Sequence, residues 1–308
     1  MRTAFLLSLL PCALAFSSSL APMGKATSAL HSLASEDEAS SFSRREAIQA
    51  GVASATTLAG LFVMPQLGIA EEETRATSIK NVVVAGATGQ TGSRVFERLV
   101  AQNFVTTGGV RNVAKASKSL QGNLKQLDVV EDSIDSLTET LKGADGLIIA
   151  CGMNPGKNLL RMSAAAHEVD NIGTCKLISA AKNAGVKKVV MVSSILTDGR
   201  AWGQENSPGF VATNAFGGAL DEKLVSEKFL RASGLDYTIV RPGGLKAKAP
   251  TGELSINPEN TLNSGEISRD LVADVSIACL NDPEASNKVL EIFEDEEKPA
   301  KVFNGLVM

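Results

Sequence analysis

The sequence predicts an α/β fold, a single doubly wound parallel sheet with a small C-terminal subregion, and three observations carry that expectation. From Ile79 onward, short apolar runs alternate with helical patterns, the signature of parallel strands joined by right-handed crossovers. The first of those runs, residues 82–84, leads through Ala85 into Gly86-Ala87-Thr88-Gly89-Gln90-Thr91-Gly92. A second run, residues 104–110, follows the next helical stretch and ends at Arg111.

A strand that ends in closely spaced glycines and opens a helix, here residues 93–101, makes a phosphate site. The glycines permit the tight turn and let the backbone approach a pyrophosphate, whose charge sits against the N–H groups at the helix start. The spacing is G-x-x-G-x-x-G rather than G-x-G-x-x-G, and a plain Gly-rich loop is the competing reading. Arg111 lies about twenty residues past the turn, where such a site places an acid for a ribose hydroxyl or an Arg for a 2′-phosphate. A guanidinium fits phosphate, so the expected cofactor is NADP(H) rather than NAD(H); a solvated surface Arg is the alternative.

Strand three is expected over residues 124–127, ending at Asp128-Val129, followed by a helix over 133–142. Strand four, 146–150, ends at Cys151-Gly152, and a long helix over 169–184 closes at Gly185. Strand five, 188–192, ends at Ser193-Ser194. Residues 197–216 are rich in Gly, Asn and Pro and hold the single tryptophan, Trp202, which suggests a lid on the substrate side. A helix over 219–233 leads through Gly234 into a strand over 237–240 that ends in Arg241-Pro242-Gly243-Gly244. Residues 251–262 read as a hairpin-like excursion, followed by a helix over 268–280 and a last strand over 288–293.

The chain has 308 residues and a formal net charge of −4, so nothing points to nucleic acid. Cys151, Cys175 and Cys279 are odd in number and set in apolar stretches, which fits buried thiols and neither a disulfide framework nor a metal site. After the leader there is one histidine, His167, expected on a helix surface; no metal is expected.

Ahead of the folded region, residues 71–308, lie three targeting-like segments. Residues 1–15 have a basic start, an apolar core and Ala13-Leu14-Ala15, the pattern of a signal peptide. Residues 16–43 open with Phe16, are rich in Ser and Ala, and lack an acid until Glu36, as transit peptides do. Together these two segments resemble the bipartite targeting sequence of algae with secondary plastids. Residues 44–70 begin with Arg44-Arg45, continue through a weakly apolar run over 47–64, and end in Gly68-Ile69-Ala70 before three glutamates. That looks like a twin-arginine thylakoid signal cleaved after Ala70; an uncleaved membrane anchor through 47–64 is the other reading. Location is thus expected in the plastid, in the thylakoid lumen or on the thylakoid membrane.

The glycine turn, the stretch Val169-Asp170-Asn171-Ile172-Gly173-Thr174, residues 189–194, residues 231–245 and Ile267-Ser268-Arg269 together resemble an atypical short-chain dehydrogenase/reductase. The branch includes NmrA-like proteins and the NADP-binding subunit associated with the plastid import translocon. The resemblance spreads over nearly all of residues 79–293 and implies a Rossmann-type fold. It further implies that Gly86, Thr88, Gly89, Gln90, Thr91 and Gly92 bind the pyrophosphate, with Arg111 at the 2′-phosphate and Asp128 and Val129 beside adenine. Cys151 and Gly152 would lie under the nicotinamide-side ribose, and Pro242 and Gly243 near the nicotinamide amide. Ser193 would stand at the catalytic serine's place and Lys223 at that of the active-site lysine, each also touching cofactor.

The departure from the family is as informative. A typical member uses Tyr-x-x-x-Lys, the phenol acting as acid or base, and one turn before Lys223 stands Ala219. The single tyrosine, Tyr237, is placed in a strand. Three readings follow: an NADPH-dependent reductase of a small molecule that takes its proton from Lys223, Ser193 or water; a non-catalytic NADP(H)-binding module that senses redox state or serves a thylakoid protein partner; and a non-redox enzyme such as an epimerase.

Overall fold

The structure is a computed structural model, and it describes residues 78–154, 161–215 and 217–306. The targeting-like segments over 1–70 therefore lie outside the described residues. Among the described residues ten strands form: β1 (Asn81–Ala85), β2 (Val105–Val110), β3 (Asn123–Gln126), β4 (Gly146–Ile149), β5 (Lys188–Val192), β6 (Asp236–Pro242), β7 (Gly244–Lys246), β8 (Gly252–Asn257), β9 (Glu266–Ser268) and β10 (Lys288–Pro299). Eight α-helical segments accompany them: α1 (Gln90–Ala101), α2 (Val113–Ala116), α3 (Ile134–Leu141), α4 (Met162–Ala166), α5 (Thr174–Asn183), α6 (Pro208–Asn214), α7 (Ala219–Ala232) and α8 (Arg269–Ala278).

The main sheet runs β3-β2-β1-β4-β5-β6-β10-β8. Every pairing in it is parallel except β10 with β8. The first six strands follow the order 3-2-1-4-5-6, which reverses between β1 and β4 and opens a crevice there. Side chains alternate along β1. Val82 and Val84 join a core with Val95, Phe96 and Leu99 of α1 and Leu271, Val272 and Val275 of α8. Val83 and Ala85 join the opposite core, with Leu137 and Leu141 of α3 and Leu177 and Ile178 of α5. Helices on both faces are what the near-continuous apolar runs in β1, β4 and β5 require, because both sides of each strand are buried.

Several elements depart from the sequence reading. The long helix begins earlier, at Met162, and His167–Gly173 between α4 and α5 is a π-helical turn. Residues 197–216 are less loop-like than expected: a 3₁₀ turn at Gly199–Trp202 and α6 lie inside them, with the Ser207 side chain capping α6 and Pro208 at its first position. Residues 252–257 form no local hairpin; β8 pairs antiparallel with β10, which itself extends to Pro299. A small parallel pair, β7 with β9, forms the C-terminal subregion and was not foreseen, because three-residue strands are too short to show a period. Among the described residues no helix is long and apolar enough to cross a membrane, no His/Cys/Asp/Glu group could hold a metal ion, and Cys151, Cys175 and Cys279 are free thiols.

Candidate cofactor site

Gly86 follows β1 with φ +82°, a conformation that favours glycine, and a Cβ there would lie 2.8 Å from the Cys151 backbone nitrogen. Its N–H and that of Ala87 donate to the Gly109 carbonyl at 3.1 and 3.2 Å, tying the turn to β2. Gly89 caps α1 in an extended conformation, φ −74°, and its N–H donates to the Gly86 carbonyl at 2.8 Å. The first N–H groups of α1 have no partner within the helix, so the turn ends in donors and the positive end of a helix dipole.

A cavity of about 560 Å³ opens above this turn, at the reversal between β1 and β4. Gly86, Thr88 and Gly89 line it from the turn after β1; Gly109, Val110 and Arg111 from the end of β2; Asp128 and Val129 from the chain after β3; and Ala150, Cys151 and Gly152 from the chain after β4. Glu131, Arg161, Ala165, Glu168 and Val169 also line it. Asp128 holds its turn together, its carboxylate accepting the N–H of Val130 at 3.0 Å and of Glu131 at 3.4 Å. Gln90, Thr91 and Gly92 are not in the lining. Gln90 is exposed, while Thr91 and Gly92 are buried, and a Cβ on Gly92 would sit 2.2 Å from the Gly86 carbonyl oxygen. The absence of a Cβ at Gly92 therefore lets α1 pack on the turn.

Behind Gly152 lies a buried ion pair. Lys223 Nζ, on α7, donates to Asp170 Oδ1 at 2.9 Å, and the two side chains are 17 % and 1 % exposed. Asp170 also accepts the Met153 N–H, through Oδ2 at 3.1 Å, joining the segment after β4 to the π-helical turn and α7. A Cβ on Gly152 would lie 3.6 Å from Lys223 Nζ. Burial by itself would lower the Lys223 pKa, but the charge and hydrogen bond of Asp170 outweigh it and hold the ammonium above its ordinary value. Cys151 beside it is pushed up to about 11, by burial and then by the Asp170 charge, so its thiol stays protonated.

Asp170 had no assigned role in the sequence. Its signal was an acid spaced i, i+3, i+4, i+7 with Gly173, Thr174 and Leu177, all buried, and a carboxylate on an apolar face calls for a cation. The π-helical turn is set by a close approach. A Cβ on Gly173 would lie 2.7 Å from the Glu168 carbonyl and 2.9 Å from Val129, so glycine lets the helix meet the chain after β3.

Ser193, Lys223, Pro242 and Gly243 are not in the cavity lining. The Ser193 hydroxyl donates to Glu227 Oε1 at 2.5 Å and shares a 3.2 Å contact with Thr197 Oγ1. That ties the serine into a buried network. Gly243 donates its N–H to the Ile292 carbonyl at 2.9 Å, and a Cβ there would lie 2.5 Å from the Gly265 carbonyl oxygen. Its close contact is thus with the turn before β9, while Pro242 is buried at the end of β6. Ala219 is 8 % exposed at the start of α7, one turn before Lys223. His167 is exposed, as expected, with Nδ1 3.1 Å from Glu222 Oε2.

A glycine turn after β1, a cavity at the strand-order reversal, and a buried lysine behind the end of β4 define a dinucleotide-binding Rossmann protein of the atypical short-chain dehydrogenase/reductase type. Residues 86–283 match the family model described as NAD(P)H-binding, and the chain belongs to that family. It is 42 % identical over 240 residues to an uncharacterized chloroplastic protein of Arabidopsis thaliana, covering 76 % of this chain and 84 % of that one. It is 30 % identical over 252 residues to the chloroplastic protein TIC 62 of Pisum sativum, covering 74 % of this chain and 45 % of the relative. Among solved structures, the anaerobillin reductase ChuY of Escherichia coli O157:H7 superposes with a TM-score of 0.59 at 25 % identity, over 72 % of this chain and 100 % of that one. The protein is thus NAD(P)-binding and oxidoreductase-like.

Proposed function

We propose that the protein is an NADP(H)-dependent reductase of the plastid that acts on a small molecule. The observation that carries the reading is the Lys223–Asp170 pair behind Gly152, a buried lysine paired with a buried carboxylate next to the place where the nicotinamide-side ribose would lie. A carboxylate so deeply buried needs its cation, and the pair fixes Lys223 before any cofactor arrives. A lysine held above its ordinary pKa is a poor general acid, and the Ser193 proton is engaged by Glu227. With Ala219 in place of the tyrosine, Lys223 steadies cofactor and developing negative charge, and water supplies the proton. The test is to mix purified protein with NADPH and a library of carbonyls and enones, following NADPH fluorescence. Tight binding with no oxidation by any member would favour the second reading, a non-catalytic NADP(H) module for a thylakoid protein partner, which Ala219 supports.

Preference for NADP(H) over NAD(H) rests on Arg111, which lines the cavity at the end of β2. A charge-assisted contact to a 2′-phosphate contributes roughly 1.5 to 3 kcal/mol, so Arg111→Ala is expected to weaken NADPH binding about ten- to a hundredfold and leave NADH nearly unchanged. Calorimetry that finds equal losses for both cofactors would remove the assignment.

Residues 1–70 act as leader segments on this reading, ahead of the cofactor domain over 71–308, with lumenal export as the route and retention through 47–64 as the alternative. Lysine keeps the charge but lacks the planar five-donor guanidinium, so Arg44→Lys with Arg45→Lys is expected to block export and cleavage after Ala70. N-terminal mass spectrometry of protein from fractionated plastids decides. Wild-type chains that start near Ala34 and stay with the membrane would overturn the lumenal route.

A further inference from the structure

The cavity is poorly balanced for an anionic ligand. Among the described residues its lining carries two cations, Arg111 and Arg161, against three carboxylates, Asp128, Glu131 and Glu168. The Asp128 carboxylate is occupied by backbone N–H groups, and Glu168 is paired with Arg161, NH2 to Oε1 at 3.4 Å. That ion pair is long, and its side chains are 67 % and 40 % exposed, so it is weak and easily exchanged for a better partner. A diphosphate is such a partner, because its oxygens match the guanidinium fork and its two phosphates together carry two charges against the one of a carboxylate.

Position selects which phosphate. Arg111 ends β2, on the far side of β1 from β4, whereas Arg161 and Glu168 belong to the helical segments that follow β4. A diphosphate lies in the crevice where the strand order reverses, between β1 and β4, and Arg161 lines the same cavity as the glycine turn. We propose that Arg161 is a second diphosphate-binding residue and that Glu168 is its internal competitor, holding the guanidinium when the site is empty and lowering affinity for both dinucleotides. The proposal rests on the reading of the cavity as a dinucleotide site, but not on the choice between NADP and NAD.

Isothermal titration of the full chain with NADPH and with NADH separates the possibilities. Arg161→Ala is expected to weaken both cofactors by about tenfold, because the diphosphate is common to them, and Glu168→Gln to tighten both by about threefold. Both side chains are exposed, so neither change is expected to unfold the protein, and unchanged circular dichroism checks this. An Arg161→Ala protein that binds both cofactors as wild type does, or that loses NADPH alone, would overturn the assignment, as would weaker binding by Glu168→Gln. The second outcome would make Arg161 a reader of the 2′-phosphate. Wild-type protein that binds neither dinucleotide would overturn the cavity assignment together with this one, whereas equal affinity for NADPH and NADH would overturn only the role of Arg111.

Discussion

Replacing Arg241 with methionine is expected to lower folding stability by about 3 to 5 kcal/mol, the cost of breaking a buried ion pair by removing one partner. Arg241 is fully buried at the end of β6. It holds Glu227 with both arms of its fork, Nε to Oε1 at 3.1 Å and NH2 to Oε2 at 2.6 Å, and its NH1 reaches Asn260 Oδ1 at 2.9 Å and Glu291 Oε1 at 3.4 Å. Glu291 in turn accepts the N–H groups of Asn260, Thr261 and Leu262. One guanidinium therefore connects α7, β6, β10 and the chain after β8. Without it, the Glu227 and Glu291 carboxylates remain in the core and lose their shared cation. Urea unfolding of Arg241→Met beside wild type measures the loss; a value below about 1 kcal/mol would show that the pair contributes little.

Some of this was legible from residue order alone. β5 was placed at its observed bounds, and β1, β4 and α7 within two residues, because their apolar runs are long enough to show and are closed by glycine or polar turns. The glycine turn and Arg111 could be placed in one cavity because the first βαβ unit is local in sequence. What could not be read comes from distant parts of the chain. Asp170 meets Lys223 across fifty-three positions. Ser193 meets Glu227 across thirty-four, and no pattern near Ser193 announces that its hydroxyl is already engaged. The pairing of β8 with β10 failed for the same reason: a strand beside a turn suggests a local hairpin, and its true partner lies after a helix. The glycines read as one motif, although their backbone conformations and the room around them give them separate duties.

Those separate duties make Gly89 the position at which cofactor binding can be removed while the fold is kept. Gly86 needs its left-handed conformation, and Gly92 has no room for a Cβ against the Gly86 carbonyl, so a side chain at either disturbs the turn itself. Gly89 differs. Its φ of −74° is open to any residue, and an added Cβ would meet the Gly86 carbonyl oxygen at 3.1 Å, tight but relieved by a shift of a few tenths of an ångström. It lines the cavity at the N-terminus of α1, so the methyl groups of a valine would stand over the N–H groups that a pyrophosphate needs. Gly89→Val is therefore expected to leave thermal unfolding within a few degrees of wild type while weakening NADPH and NADH alike by more than about a hundredfold, the loss of close backbone approach to a charged group. The equal effect on both cofactors sets it apart from Arg111→Ala, and its size sets it apart from Arg161→Ala. Titration of Gly89→Val beside wild type supplies the readout, and an unchanged dissociation constant would mean that the dinucleotide does not lie on this turn.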